Sequence, residues 1–256
     1  MIIKKFVENI KVAEAWQFLN ENMLYNRHLG FKGSIKAALL HQEEKALKLH
    51  QRVEIVKNKV LEENIFEIKA VYQFFKVKSE GNSILVFDDK TNLMLEKFDF
   101  PRQQSGENLC LADLVLANQY DNFCIMVVTA GGRVRQFAQE MLETGLYLDQ
   151  QILYSLAFET AEASAEYIHK KIRDLWGIND DPSLTLTDIL QGKYIGNRFS
   201  LGYPACPNLE DQQKIWRLLD PKKEIGVSLT ENFMMHPEAS VSAIVFYNPS
   251  AKYFGV

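Results

Sequence analysis

Ile65-Phe-Glu-Ile-Lys-Ala-Val-Tyr-Gln-Phe-Phe-Lys-Val77, a polar break at Ser79-Glu-Gly-Asn82, and then Ile84-Leu-Val-Phe87 are the residues on which the fold turns. Val, Ile, Phe and Tyr fill both runs, and the break holds the small and polar residues that reverse a chain. So short a connection joins only antiparallel neighbours, because a parallel return needs a crossover of roughly a dozen residues. The pair therefore reads as an antiparallel hairpin. Asp88 to Asn92 is a second polar turn, Leu93 to Phe100 a third strand that Pro101 ends, and Phe123 to Thr129 an apolar central strand. Further on, Val227 to Met235 and Val241 to Tyr247 read as extended runs joined around His236, followed by a last one at Lys252 to Val256.

Helical spacing occupies the rest. Ile10, Val12, Ala13, Trp16 and Leu19 predict a short amphipathic helix over Glu8 to Asn20. Ser34 is a good N-cap, and apolar residues at intervals of three and four from Ile35 to Val60 predict one long helix ending near Glu63. The longest signal runs from Tyr147 to Trp176, with Gly177 placed to cap it. Ser183 to Leu190 and Glu210 to Leu219 predict two short helices, the second stopped by Pro221, while Leu109 to Val115 reads as a short helix or a loop. Strands toward both ends with helices between predict an α+β fold, a twisted antiparallel sheet with flanking helices, forming a single domain over residues 1–256.

Composition narrows the partners. The 29 basic and 33 acidic residues give a net charge of -4, which offers no general attraction to nucleic acid. No apolar run approaches the roughly 18 to 20 residues of a membrane span, and the N-terminus lacks a secretory cleavage pattern, so a cytoplasmic protein is expected. Cys110, Cys124 and Cys206 are odd in number and form no Cys-x-x-Cys pair, which predicts buried thiols. The five histidines show no spacing of a zinc site, so no metal is expected.

Three segments carry candidate chemistry. Gly131-Gly132 lies between a strand and a helix but lacks the rest of either nucleotide-loop fingerprint, so it reads as a turn. Glu159, Glu162, Glu166, Lys170 and Arg173 form a polar stripe on the long helix. Glu166 and Lys170 stand in the favourable i,i+4 order, and from spacing alone Glu162 and Glu166 read as solvated charges. Arg198-Phe-Ser-Leu-Gly-Tyr-Pro-Ala-Cys-Pro207 combines one Gly and two Pro, which suggests a loop with free backbone groups, and a planar guanidinium suited to a carboxylate or phosphate.

Taken together, Glu162-Ala-Ser-Ala-Glu-Tyr-Ile-His, Arg198 to Pro207, Leu229-Thr-Glu-Asn-Phe-Met-Met and Ala239-Ser-Val-Ser through Lys252-Tyr-Phe resemble the activation domain of cobalamin-dependent methionine synthase. Arg102-Gln-Gln and Cys110-Leu-Ala-Asp extend the likeness over nearly the whole chain. The resemblance implies a helmet or C-shaped α+β domain that binds S-adenosylmethionine in a shallow groove. Its implied task is to support reductive remethylation of oxidised cobalamin, the metal being held by a partner domain or subunit. The implied partners are that cobalamin-binding unit and a flavodoxin-like or other one-electron donor.

By motif position, Arg198 meets the ligand's carboxylate and Glu162 its ammonium, with Glu166 one turn on as the alternative. Tyr253 and Phe254 supply contacts from the C-terminal segment, the backbone near Ser200 reads the adenine, and Asn20 stands where the family has Asp. Two departures follow. The family's Arg-Pro-Ala-Pro-Gly appears as Arg-Phe-Ser-Leu-Gly, which loses two prolines, and Asn20 keeps the hydrogen-bonding shape of Asp without its charge. A docking module for a corrinoid protein that no longer binds S-adenosylmethionine is therefore the alternative. No Asp-x-His-x-x-Gly motif occurs, so a partial enzyme is expected, an excised domain or a free subunit rather than a complete synthase.

Overall fold

The computed structural model describes residues 3–255. Nine strands order the described residues. They are β1 (Lys5–Asn9), β2 (Lys69–Glu80), β3 (Ser83–Phe87), β4 (Met94–Asp99), β5 (Asp121–Thr129), β6 (Asn197–Phe199), β7 (Ser228–Leu229), β8 (Met235–His236) and β9 (Ser240–Phe246). Among the described residues seven of them form one open antiparallel sheet in the order β4-β3-β2-β5-β9-β6, with β1 paired to the first half of β2. The short β7 and β8 pair separately. The expected hairpin is present, with Val77 opposite Val86 and Glu80 opposite Ser83.

The alternation of side chains across this sheet makes two cores. Tyr72, Phe74, Cys124, Met126, Val128 and Val245 face one side, while Val71, Phe75, Phe123, Ile125, Val127 and Phe246 face the other, all of them buried. Helices α1 (Val12–Ala15), α2 (Ile35–Leu40), α3 (Glu44–Glu62), α4 (Val134–Glu143) and α5 (Tyr147–Trp176) contribute to the first core. Helices α7 (Gln212–Leu219) and α8 (Pro221–Ile225) cover the second, and α6 (Leu186–Leu190) lies between α5 and β6 in the chain. The central strands are thus buried on both faces, which is why β5 and β9 read as nearly continuous apolar runs. The α+β class and its antiparallel sheet are as expected.

Helix α5 has the bounds expected of it, and Gly177 closes it in the left-handed conformation that glycine adopts without strain. Ala161, Ala163, Ser164 and Ala165 let neighbours approach from several sides, so the helix is buried over most of its circumference. All three cysteines are buried and free. No helix among the described residues is long and apolar enough to cross a membrane.

Several boundaries differ from expectation. The helix expected over Glu8 to Asn20 begins only at Val12. Lys5–Asn9 is instead a strand on β2, where Phe6 stacks on Tyr72 at 4.8 Å and Glu8 accepts the Tyr72 hydroxyl at 2.6 Å. The single helix expected from Ser34 to Glu63 is two, because Gln42 takes a left-handed backbone and the Glu43 amide turns back to the Ala38 carbonyl. The helix expected to stop before Pro221 does end at Leu219, and Pro221 then opens a further helix, α8, from its first position, where a missing amide proton costs nothing. Only the ends of Val227 to Met235 pair, around a turn at Thr230–Met234, and Lys252 to Gly255 forms no strand; Val256 lies outside the described residues.

The segment holding Arg198 is the most consequential difference. Arg198 lies in β6, an edge strand opposite Val245 of β9, and the loop begins only after Phe199. Gly196 leads into that strand with φ +84°, and a Cβ there would come within 2.5 Å of the Phe246 carbonyl oxygen. The glycine therefore lets the edge strand close on β9 and sets the origin of Arg198. Gly196→Ala should lower the unfolding free energy by about 1–3 kcal/mol. A urea midpoint equal to that of the wild type would contradict this close approach.

Candidate functional site

Arg198 leaves β6 and crosses to the buried face of α5. There Glu166 Oε2 accepts a short charge-assisted hydrogen bond from its Nη1, and His169 Nδ1 lies 3.3 Å from the same nitrogen. The Tyr194 hydroxyl donates to Glu166 Oε2 at 3.1 Å, and Glu166 Oε1 stands 3.5 Å from Nη1 of Arg173. Arg173 is wholly buried, is held by both carboxylate oxygens of Asp180 at 2.7 and 2.8 Å, and lies over the Tyr194 ring at 3.7 Å. Two guanidinium groups and two carboxylates thus neutralise one another beneath the surface, which removes most of the cost of burying any one of them.

Of the two acids expected to be solvated, Glu166 is therefore internal and Glu162 is not. Glu159, Glu166 and Arg173 are buried, and Lys170 pairs with Asp174 at 2.9 Å rather than with Glu166. The cause is tertiary, since β6, Tyr194 and Asp180 cover a face that would be solvated on an isolated helix. Glu162 alone keeps 54% of its side chain exposed, one turn from Glu166 and 3.9 Å from Arg198 Nη2. That separation is a loose ion pair and too long for a hydrogen bond, and among the described residues Nη2 makes none.

Two adjoining hollows share Glu162 and Arg198 as a common wall. One, of about 430 Å³, is bordered also by Asn20, Met23, His28, Phe158, Glu159 and the mostly buried Glu166. The other, of about 600 Å³, is bordered by Phe199, Ser200, Tyr203, Pro204, Tyr253 and Phe254. All six residues expected from the motifs therefore gather at one place, with Asn20 on one side of the Arg198–Glu162 wall and Ser200, Tyr253 and Phe254 on the other. Asn20 spends its side-chain oxygen on the Met23 amide at 3.2 Å, and the Ser200 carbonyl accepts the Cys206 thiol at 2.9 Å. Burial, then the nearby Asp211, pushes that thiol's pKa up to about 12, so it remains a neutral donor.

The aromatic side is held in register from three directions. Asn197 Nδ2 donates to the Ala251 carbonyl at 2.8 Å, Gln103 Nε2 to that of Gly255 at 2.7 Å, and Lys252 bonds Glu107. Arg102, beside Gln103, is itself fixed by Asp113 through two bonds of 2.7 Å. The Arg102-Gln-Gln and Cys110-Leu-Ala-Asp motifs thus brace the C-terminal segment. The Phe199 ring then meets Tyr253 at 5.4 Å and Phe254 at 6.3 Å.

Sequence reasoning missed His28, Glu159, His169, Tyr194 and Tyr203. The last lies inside the Gly202-Tyr-Pro turn already singled out. Glu162, Glu166, His169 and Arg173 recur at intervals of four, three and four on one helix face, a signal that could have grouped them. His28 Nε2 bonds Glu159 Oε1 at 2.9 Å, and burial above all raises the Glu159 pKa against the lowering effect of that bond.

Burial, then Arg173 and Arg198, holds the His169 pKa well below the ordinary imidazole value. Its ring is neutral, and Nδ1 accepts from Arg198. In the unfolded chain the ring takes a proton as pH falls below about 6.5, whereas the folded protein does not. The unfolded state then binds more protons, so this contribution to stability is complete above that pH. Below it, stability is lost at up to about 1.4 kcal/mol per pH unit. In urea unfolding between pH 7 and pH 5, His169→Gln should show a shallower loss than the wild type; equal slopes would contradict a buried neutral ring.

Comparison with known proteins identifies the family and the fold. The family model described as "Vitamin B12 dependent methionine synthase, activation domain" matches residues 11–256. Methionine synthase of Mycobacterium tuberculosis is 36% identical over 201 residues, covering 73% of this chain and 17% of that protein. That of Mycobacterium leprae is 31% identical over 270 residues, covering 98% of this chain and 22% of that protein. The chain thus spans about a fifth of the length of these relatives. A crystal structure of the MetH reactivation domain bound to AdoHcy superposes with a TM-score of 0.91 at 25% identity, covering 99% of this chain and 81% of that one. The chain belongs to the family of vitamin B12 dependent methionine synthase activation domains.

Proposed function

We propose that this chain binds S-adenosylmethionine across the two hollows. Acting as one activation unit over residues 1–256, it supports the reductive remethylation of cobalamin held by a methionine synthase partner. The observation that carries the reading is the wall itself. A guanidinium whose Nη2 makes no hydrogen bond and a half-exposed carboxylate stand 3.9 Å apart as a loose ion pair, a receptor for a zwitterion.

The donor set fits the ligand. Arg198 Nη2 would take the carboxylate and Glu162 the ammonium, with Asn20 adding a hydrogen bond through its free amide. Tyr253, Phe254 and the backbone near Ser200 would take the adenine, on the side where the apolar rings lie. The solved reactivation domain of the comparison holds AdoHcy, which has the same amino-acid and adenosine ends.

S-adenosylmethionine supplies a methyl group on positive sulfur, whose leaving group is a neutral thioether. No side chain has to donate or remove a proton. The residues here bind and orient, which is catalysis by positioning. Such a chain would dock on the cobalamin-binding unit in the cytoplasm, and a flavodoxin-like or other one-electron donor would reduce the metal.

Isothermal titration should detect S-adenosylmethionine binding by the wild type, and Arg198→Ala should weaken it at least about tenfold. No heat at millimolar ligand would leave a docking module alone. Equal affinity in Arg198→Ala would remove the guanidinium from the site.

A further inference from the structure

The charges behind Arg198 do more than make its burial tolerable, and what they do rests on the ligand reading just given. A long side chain on a three-residue edge strand has several rotamers open to it, and only some aim a free nitrogen at the hollows. Here 16% of the side chain is exposed, and Nη1 is tied to Glu166 Oε2 and His169 Nδ1. Glu166 is in turn fixed at both oxygens. Tyr194 donates to Oε2, while Arg173, itself saturated by Asp180, stands beside Oε1. Glu166 borders the smaller hollow but keeps only 4% of its side chain exposed and has both oxygens engaged, so the carboxylate open to a ligand is Glu162.

We propose that Glu166, braced by Tyr194 and Arg173, is the positioning residue for recognition of the ligand's carboxylate. By holding Nη1 it presents Nη2 of Arg198 to the hollows without touching the ligand itself. Asp180 answers the charge of Arg173, which leaves the charge of Glu166 to Arg198. His169 adds an acceptor and no charge. The side chain would thus act on one end of one ligand. A carboxylate that merely stabilised the fold would favour every ligand equally.

That difference is measurable. S-adenosylmethionine and its decarboxylated form, which keeps the sulfonium, the ammonium and the adenosine, would be titrated into wild type, Glu166→Gln and Tyr194→Phe. Glu166→Gln should bind S-adenosylmethionine about tenfold or more weakly, with decarboxylated ligand within about twofold of wild type. Tyr194→Phe keeps the ring over Arg173 and removes only the hydroxyl bond, so a roughly threefold loss confined to S-adenosylmethionine is expected. Equal losses on both ligands in either variant, or undiminished affinity of Glu166→Gln for S-adenosylmethionine, would overturn the inference. Wild type that binds neither ligand would remove the ligand reading first and this inference with it.

Discussion

The bond between Glu166 on α5 and Arg198 on β6 is the constraint around which the site is arranged. An edge strand is ordinarily the weakest part of a sheet, with one row of backbone groups unpaired. Here a charged pair ties that edge to the most deeply buried helix in the fold. Removing either member would leave an uncompensated charge in a poorly solvated place, which costs about 3–5 kcal/mol in comparable buried pairs. The pair survives because Tyr194 and Arg173 engage Glu166, His169 accepts from Nη1 of Arg198 and Asp180 answers Arg173, while Nη2 stays open to the hollows and, among the described residues, the buried His169 Nε2 has no partner.

The sheet gives this bond its geometry. Strand β9 carries β6 on one side and β5 on the other, and α5 crosses the same face on which Val245 and Met126 lie. Any shift of β9 would therefore move the guanidinium and its carboxylate by different amounts. Small residues on α5 keep helix and sheet close, and Gly196 allows β6 to close on β9. The opposite wall of the site depends on contacts far apart in the chain, since Gln103 and Glu107 fix the segment that carries Tyr253 and Phe254. The result is a ligand wall with charge in its centre and rings on one flank, set on regular structure at Arg198 and Glu162 and on a braced loop elsewhere.

Much of this was legible in the sequence, and the division follows the range of the interactions involved. The hairpin of β2 and β3 and the full length of α5 rest on local periodicity and local turn chemistry, and both stand where the pattern put them. The break at Gln42 was invisible because no glycine marks it. The strand at Arg198 was hidden behind Gly202, Pro204 and Pro207, which shape only the residues after Phe199, while its partner Val245 lies far away in sequence. Glu166 looked solvated because its cover comes from Tyr194 and Arg198 beyond the helix. The site residues Arg198, Glu162, Asn20, Ser200, Tyr253 and Phe254 came from motif resemblance; periodicity carried no information about the hollows they share.

The central claim is that a half-tethered guanidinium and a free acid one helical turn from its anchor receive the two ends of an amino-acid ligand. A crystal structure of the chain with S-adenosylmethionine tests it most directly. The expected density has the ligand carboxylate on Arg198 Nη2 and the ammonium toward Glu162. The adenine should lie beside Tyr253 and Phe254, with the bond from Arg198 to Glu166 unbroken. A ligand seated elsewhere, or an Arg198 that leaves Glu166 to reach it, would contradict the account.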